Sequence, residues 1–262
     1  MAILCLLLWF LPQDEPKALP ELKSFLAEVR KTLHPDDVLL SQYTYTEKLT
    51  DSEIGSDGKA KKTDVDVYQI TRELGSGQVY RRLVSKNGMV VNSAKPEKVR
   101  GARRRSSSEE QRILDDVFGG YDIQIAGRED VDKRSAIRLI FKPRAGYKPK
   151  TLEGKLLHCL AGEAWVDESD FALTQVNAEM VNTFSIGFGL LAKLQKSARI
   201  HVERHKINNE VWLPANVEVS LTARLLVLKG LNRHETVEYS DYKKFNVETI
   251  IKFPEPEKSS QP

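Results

Sequence analysis

The chain has few cysteines and no excess of charge of either sign. Its two cysteines are Cys5 and Cys159, and only Cys159 would remain after removal of an N-terminal leader, so no internal disulfide is expected. The 40 Lys and Arg residues are nearly balanced by 37 Asp and Glu. Bulk charge therefore favours no class of partner. With 40% hydrophobic residues the 262-residue chain can bury a core, and this composition excludes wholly disordered and collagen-like classes.

The signatures of common catalytic sites are also missing. The sequence contains no P-loop, no Gly-x-Ser-x-Gly nucleophile motif and no His-Glu-x-x-His zinc motif. Gly187 to Ala192 fits the spacing Gly-x-Gly-x-x-Ala. A strand-like segment follows it, however, and no acidic residue is placed to hold a ribose, so a dinucleotide site is not expected. We therefore expect a non-catalytic protein without a cofactor.

The longest apolar run, residues 1–11, is too short for a membrane-spanning helix, which needs about 20 apolar residues. We therefore expect no integral helical membrane protein. The run has the length of a signal-peptide core but lacks a basic start and an Ala-x-Ala cleavage site. It predicts a signal peptide or truncated leader over residues 1–17, with a buried strand or helix as the alternative. Residues 251–262, rich in Pro, Glu and Ser, predict a disordered tail. Residues 18–250 are expected to form a single domain.

Apolar residues at helical spacing predict a helix from Pro20 to Leu33. Its stripe consists of Leu22, Phe25, Leu26, Val29 and Leu33. From Val38 onward the period changes to two, which is typical of strands, and Asn87-Gly88 is a strong hairpin signal. Ser108 to Phe118 predicts a second helix that stops at Gly119-Gly120.

Long alternating segments dominate the last third of the chain. From Val211 to Leu228, apolar residues occupy alternate positions while polar residues occupy the other face. A strand of this length suits a strongly curved sheet. About eleven strands, two or three helices and no alternating βα pattern predict an α+β fold. We expect a strongly curved antiparallel half-barrel whose concave face is covered by helices.

The order of these parts resembles the LolA/LolB-like outer-membrane lipoprotein carriers and sorting proteins of the bacterial envelope, a superfamily that includes the sensor domain of RseB. The cues are the helix of Pro20 to Leu33 leading into Tyr43-Thr-Tyr45, and the segment Gly162-Glu-Ala-Trp165-Val-Asp167 before the strand from Phe171. The resemblance covers roughly residues 20–245 and concerns layout. Segments such as Tyr80-Arg-Arg-Leu83 look more like an envelope branch separate from the true carriers.

The resemblance implies an open half-barrel of roughly eleven strands, with helices plugging a hydrophobic cavity. It implies a periplasmic or otherwise exported protein that binds a lipid, an acyl chain or a lipidated protein, with contact to a membrane surface as a further option. The alternative is an envelope sensor or interaction module that binds another protein and carries no lipid. No nucleic-acid partner is expected.

The apolar concavity of such a half-barrel must be filled by its own helices or by a ligand. The predicted lining consists of Tyr43, Tyr45, Ile137, Leu139, Val176, Met180, Val217, Val219 and Leu221. For each of them, ordinary core packing is the alternative. The glycine-containing segment after Val181 predicts a lid formed by Phe184, Ile186, Phe188 and Leu190. Its alternative is a glycine-kinked strand corner.

Two polar groupings remain. His201, Glu203 and His205 share one face of a strand, which would allow a metal-dependent hydrolase as a weaker alternative. Same-face neighbours lie about 7 Å apart, and we therefore favour a solvated face and no metal site. The basic cluster from Lys95 to Arg105 has no accompanying aromatic platform and is followed by acidic residues. It favours a solvated linker or lid over a phosphate or lipid-headgroup site.

Overall fold

The computed structural model describes residues 17–34, 39–73, 78–92, 95–99, 106–186, 192–196, 198–225 and 228–244. Residues 1–16 of the predicted leader and the predicted tail 251–262 lie outside this part. Lys17, the last residue of the predicted leader, places its Nζ 2.9 Å from Glu168 Oε1. Within the described ranges, no helix combines the length and the apolar character needed to cross a membrane.

The described residues include three α-helices, and each begins after a residue whose side chain caps it. Helix α1 (Leu22–Thr32) begins after Glu21, whose carboxylate accepts hydrogen bonds from the backbone of Lys23 and Ser24. Helix α2 (Ser107–Gly120) begins with a capping box between Ser106 and Glu109. Such caps satisfy backbone N–H groups that have no partner within the helix. Helix α3 (Leu152–Leu157) is capped by Thr151, and a 3-10 turn covers Leu40–Gln42.

The described residues form fourteen strands in a single sheet. They are β1 (Tyr43–Ile54), β2 (Ala60–Arg72), β3 (Val79–Lys86), β4 (Met89–Val90), β5 (Glu97–Lys98), β6 (Tyr121–Val131), β7 (Arg134–Pro143), β8 (Leu160–Asp167), β9 (Leu173–Met180), β10 (Phe184–Ile186), β11 (Ala192–Leu194), β12 (Arg199–Ile207), β13 (Val211–Leu225) and β14 (Leu228–Lys244).

Eleven of these strands follow one antiparallel path, in the order β4-β3-β2-β1-β14-β13-β12-β9-β8-β7-β6. Strands β10 and β11 extend the sheet beside β13, and β5 pairs with β3. In the described part of the chain, β4 and β6 lie at opposite ends of the path and do not pair with each other. The fold is therefore an open antiparallel half-barrel of the α+β class, which confirms the predicted fold class.

An apolar row crosses the sheet on the face that carries the helices, here called the concave face. Residues that pair directly across antiparallel strands point to the same side, so the register defines the row. It runs through Ile125, Leu139, Ala164, Val176, Val202, Val217, Val237 and Leu49. Eight strands thus contribute one apolar residue each to a continuous band.

Helix α1 covers one part of this face. Phe25 and Val29 are buried and pack in one cluster with Ile137, Leu139 and Val166. The predicted helix of Pro20 to Leu33 is confirmed, with α1 beginning two residues later and ending one residue earlier. Its apolar stripe lies on the strands as expected, because burial of that stripe removes apolar area from water.

The expected strict alternation in β13 is wrong near its start. Trp212, Leu213 and Pro214 are buried consecutively. The pairing with β12 shifts register at this point, because Glu203 pairs with Asn216 whereas the next residue, Arg204, pairs with Pro214. Such a bulge places an extra residue in one strand and bends it.

The sequence also predicts one strand over residues 193–205, a connection over residues 143–157 and a segment that can begin a helix at residues 93–96, and the structure refines all three. Residues 193–205 do not form one strand, because β11 ends at Leu194 and β12 begins at Arg199. The connection predicted for residues 143–157 contains α3, which Thr151 caps. The helix start predicted at 93–96 lies partly outside the described residues, and the chain then enters strand β5.

Replacement of Ile137 tests how much the contact between α1 and the sheet contributes to stability. Ile137 is 0% exposed whereas Ile140 of the same strand is 42% exposed. We expect Ile137→Ala to lower the free energy of unfolding by about 2–5 kcal/mol, because it leaves a cavity beneath α1. Ile140→Ala is the matched control and should cost less than about 1 kcal/mol. Urea unfolding measures both, and equal effects would contradict the packing.

Candidate ligand-binding cavity

A cavity of about 770 Å³ lies between the three helices and strands β6 to β9. Its wall is predominantly apolar. The apolar lining comes from α1 and its C-terminal flank (Leu26, Val29, Leu33), α2 (Ile113, Leu114, Val117, Phe118), α3 (Leu156, Leu157), β6 (Tyr121, Ile123), β7 (Leu139, Phe141), β8 (Leu160, Ala164, Val166) and β9 (Leu173, Val176, Ala178). Its volume is within the range of small-molecule binding sites, about 300–1,000 Å³.

Four polar residues also line the cavity: His34, Arg72, Glu153 and Arg204. Glu153 belongs to α3. Arg72 is the last residue of β2, and Arg204 lies in β12 beyond the end of its pairing with β9. A mostly apolar wall with a few charged groups is the usual composition of a site for an amphiphilic molecule.

Helices α1 and α2 are joined beside the cavity by two polar contacts. Arg30 Nη2 lies 2.5 Å from Asp115 Oδ1, and the His34 ring contacts the Glu110 carboxylate. The first pair is substantially exposed on both sides. Exposed pairs of this kind contribute only about 0–1 kcal/mol. The helices are therefore held together mainly by their apolar sides.

Asp116 fixes α3 over one end of the cavity. Its carboxylate accepts hydrogen bonds from Tyr147 Oη (3.0 Å), from the backbone N–H groups of Lys150 (2.9 Å) and Thr151 (2.8 Å), and from Thr151 Oγ1 (2.6 Å). A side chain at Gly154 would collide with this carboxylate, so glycine is required there for α3 to approach α2. Thus one carboxylate attaches the segment before α3 to α2.

The same contacts set the ionisation of Asp116. Burial alone would raise the pKa of this carboxyl group, but the hydrogen bonds from Thr151, Lys150 and Tyr147 outweigh it and hold the pKa below its usual range. Asp116 is only 2% exposed. The charged form is therefore the form that the surrounding donors stabilise.

The nine predicted lining residues are distributed over the whole sheet. Leu139 and Val176 line the cavity. Ile137 lies in the core beneath α1, and Met180 packs with Phe184 and Ala198. Tyr43 and Tyr45 belong to a separate cluster with Leu40, Ile70, Val79 and Leu213.

The remaining three predicted lining residues are in β13. Val217 and Val219 are half-buried and pair with Val202 and Ile200, so they share the concave face with the wall of the cavity. Leu221 packs against the cluster around Met180. None of the three is among the residues that line the cavity described above.

Two facts explain this distribution. The three described helices lie against β6 to β9, so the space that they enclose is in that half of the trough. The prediction selected strand residues, whereas much of the lining belongs to helices. The apolar residues of α1 and α2 recur at helical spacing in the sequence. This spacing was the signal that the helices form the other wall of the cavity.

The predicted lid is only partly described. Phe184 is buried and begins β10, where it pairs with Leu194 of β11. For this residue the structure shows a strand within the sheet. The side chain of Ile186 is not described, and Phe188 and Leu190 lie outside the described residues.

The three residues considered for metal binding do not converge. His201 Nε2 lies 2.9 Å from Glu203 Oε1, and its other ring nitrogen contacts Asn177. His205 instead lies 3.7 Å from Asp132. Across the residues with described coordinates, no group of three or more His, Cys, Asp or Glu side chains is placed to hold a metal ion. Of the basic cluster, Arg103, Arg104 and Arg105 lie outside the description.

No protein-family model matches the chain, and no curated protein is similar to it at a significant level. Solved structures similar to it include a LolA superfamily protein from Nitrosomonas europaea, with 13% identity, a TM-score of 0.35, and coverage of 86% of this chain and 94% of that chain. A DUF1329 family protein from Desulfovibrio piger has 16% identity and a TM-score of 0.33, with coverage of 85% and 92%. MucB in complex with MucA(peri) has 12% identity and a TM-score of 0.25, with coverage of 84% and 94%. At these identities the similarity concerns the fold alone.

Replacement of Asp116 tests its role in attaching α3. We expect Asp116→Asn to lower the free energy of unfolding by about 2 kcal/mol at pH 7, because a neutral amide presents N–H groups to donors that need an acceptor. The matched control is Asp122→Asn, which removes a surface pair with Arg144 and should cost at most about 1 kcal/mol.

The effect of Asp116→Asn should also depend on pH. Since the folded state lowers the pKa of Asp116, its stabilisation is present above the pKa of the unfolded chain, about 3.9. It is lost as the pH falls through the folded pKa. Urea unfolding from pH 7 to pH 3 should therefore show the wild type and the variant converging. A constant difference over that range would exclude the charged form as the stabilising one.

Proposed function

We propose that the protein is a non-catalytic binding protein of the cell envelope that shelters a lipid, an acyl chain or a lipidated peptide in the cavity between its helices and β6 to β9. The observation that carries this proposal is the cavity itself, about 770 Å³ in volume and lined mainly by Leu, Val, Ile and Phe side chains. A catalytic function would instead need a cluster of converging nucleophiles and bases in the wall, whereas the wall is mainly apolar.

Transfer of an acyl chain into this space supplies the affinity. Each buried methylene contributes about 0.8 kcal/mol, so ten of them give roughly 8 kcal/mol before costs. Association itself costs about 4–15 kcal/mol in lost freedom and ordering. A ligand with a long chain is therefore favoured over a small apolar solute, and polar ligands gain little from such a wall.

Entry and exit of a long chain would be eased by displacement of a helix that covers the cavity. Helix α3 has six residues and is attached to α2 through Asp116, while α1 and α2 are joined by exposed contacts such as Arg30 with Asp115. The exposed contacts between α1 and α2 are individually weak, whereas the attachment of α3 through Asp116 is buried. We infer that the helical side of the cavity opens during exchange and that the strands remain in place.

The proposal includes an exported location and contact with a membrane surface. The leader predicted in residues 1–17 and the layout shared with envelope carriers support export. Met89 and Val90, in the β3–β4 hairpin, are 71% and 74% exposed. Exposed large apolar residues at the tip of a hairpin suit a contact with lipid, and a carrier must reach the membrane with which it exchanges its cargo.

The binding proposal is tested by filling the cavity from its strand side. Val176 lines the cavity, whereas Glu179 of the same strand is exposed and lies on the opposite face. We expect Val176→Phe to weaken binding of a fluorescent fatty acid at least about tenfold, because the added ring occupies the volume needed by the chain. Glu179→Phe adds the same ring outside the cavity and should leave the affinity unchanged. Fluorescence titration of the full-length chain measures both.

Two results would oppose the proposal. If the wild-type chain binds no fatty acid and native mass spectrometry shows no bound lipid after gentle purification, the cavity is core space. The alternative, an envelope sensor or interaction module without lipid cargo, would then be favoured. Equal affinities for wild type and Val176→Phe would show that binding occurs elsewhere on the surface.

A further inference from the structure

The charged residues of the cavity wall are separated along its length. Gln175 of β9 pairs with Glu203, the neighbour of Arg204, whereas Met180 of β9 pairs with Leu160. Gln175 and Met180 are five residues apart in β9, a distance of about 17 Å at roughly 3.3 Å per residue. Leu160 lies next to α3 in the wall. The cavity therefore has one end near Arg204 and another end near α3.

Arg72 lies at the same end as Arg204. It is the last residue of β2 and pairs with Val79. In the neighbouring strand β1, Tyr45 pairs with Ile70, so the start of β1 at Tyr43 lies at the level of Arg72. Tyr43 pairs with Lys244 of β14, and Lys244 forms an ion pair with Glu210 in the turn that follows β12. Arg72 and Arg204 thus line the cavity from opposite arms of the sheet. We call this the arginine end.

The opposite end carries a negative charge. Glu153 lines the cavity from the first turn of α3. The apolar lining residues that α3 and the start of β8 contribute are Leu156, Leu157 and Leu160. The last of the four polar residues of the wall, His34, follows α1 and contacts the Glu110 carboxylate. The wall thus has two guanidinium groups at one end and a carboxylate at the other.

We propose that the cavity selects an amphiphile with an acidic headgroup, a carboxylate or a phosphate, whose headgroup is held between Arg72 and Arg204 while its chain extends towards α3. This inference rests on the proposed function and adds the chemical class and the orientation of the ligand. Glu153 disfavours the reverse orientation, because that orientation would place the acidic headgroup beside the Glu153 carboxylate in a site of low dielectric constant.

The guanidinium groups can serve this role while retaining contacts within the chain. Arg204 is only 9% exposed, so its charge is largely removed from bulk water. Charge-assisted hydrogen bonds are stronger in such a buried site than in an exposed one. Both arginines also interact with other groups of the protein. Each guanidinium has five N–H donors in a planar fork, which matches the oxygens of a carboxylate or a phosphate and permits more than one acceptor.

The test compares ligands with the same chain and different headgroups. Palmitate, hexadecanol and hexadecyltrimethylammonium would displace a neutral fluorescent lipid probe from the full-length protein at pH 8. We expect palmitate to bind at least about tenfold more tightly than hexadecanol, and the cationic amphiphile to bind more weakly than hexadecanol. A lysophosphatidic acid with the same chain distinguishes a phosphate from a carboxylate headgroup as the preferred form.

Variants assign the preference to the arginine end. Arg204→Gln and Arg72→Gln should each reduce the palmitate-to-hexadecanol ratio towards one without weakening hexadecanol, and Arg204→Lys should restore part of the ratio. Arg82→Gln is the matched control, because Arg82 is exposed in β3 and contacts Gln69 outside the cavity. It should leave the ratio unchanged. The use of two separate arginines keeps the test valid if one of the variants does not fold.

The outcomes separate this inference from the proposed function. If palmitate and hexadecanol bind with equal affinity, the cavity binds acyl chains but the headgroup selection is overturned. If none of the amphiphiles displaces the probe and the probe itself does not bind, the proposed function fails. A preference for palmitate that survives both Arg→Gln changes would overturn the assignment to these residues.

Discussion

The whole architecture depends on keeping a wide apolar band away from water. Eight paired strands place one apolar side chain each on the concave face, from Ile125 to Leu49. A single curved sheet cannot bury that face by itself, so it needs a second layer. Helix α1 supplies part of this layer through Phe25 and Val29. Since the three described helices cover the strands without filling the space against β6 to β9, an apolar cavity remains between the two layers.

The periodicity of the sequence was sufficient for the architecture but not for the site. Alternation in β13 and the apolar stripe of α1 follow from local geometry, because each residue's environment repeats with the period of its own element. Membership of the cavity depends on which strands the helices meet, and that is a long-range property. Val217 and Leu139 carry the same local signal, yet of these two only Leu139 lines the cavity beneath the described helices.

The errors have equally specific causes. The bulge opposite Arg204 interrupts the alternation of β13, and residues flanking a bulge are not distinguished by hydrophobicity alone. Helix α3 is short, and its assignment depends on Thr151 and on Asp116, which is 35 residues earlier in the chain. The arginines that line the cavity are isolated in the sequence, 132 positions apart, and only the antiparallel topology brings them to one end.

The unpaired margins of the sheet have a mechanical consequence. No ladder of hydrogen bonds joins β4 to β6 in the described chain. The two arms of the trough, which end in these strands, can therefore spread without breaking a backbone hydrogen bond between them. A closed barrel has a girth fixed by its strand number and stagger. This protein is not under that restraint, and we expect it to adjust its width to guests of different thickness by flexing along its strands.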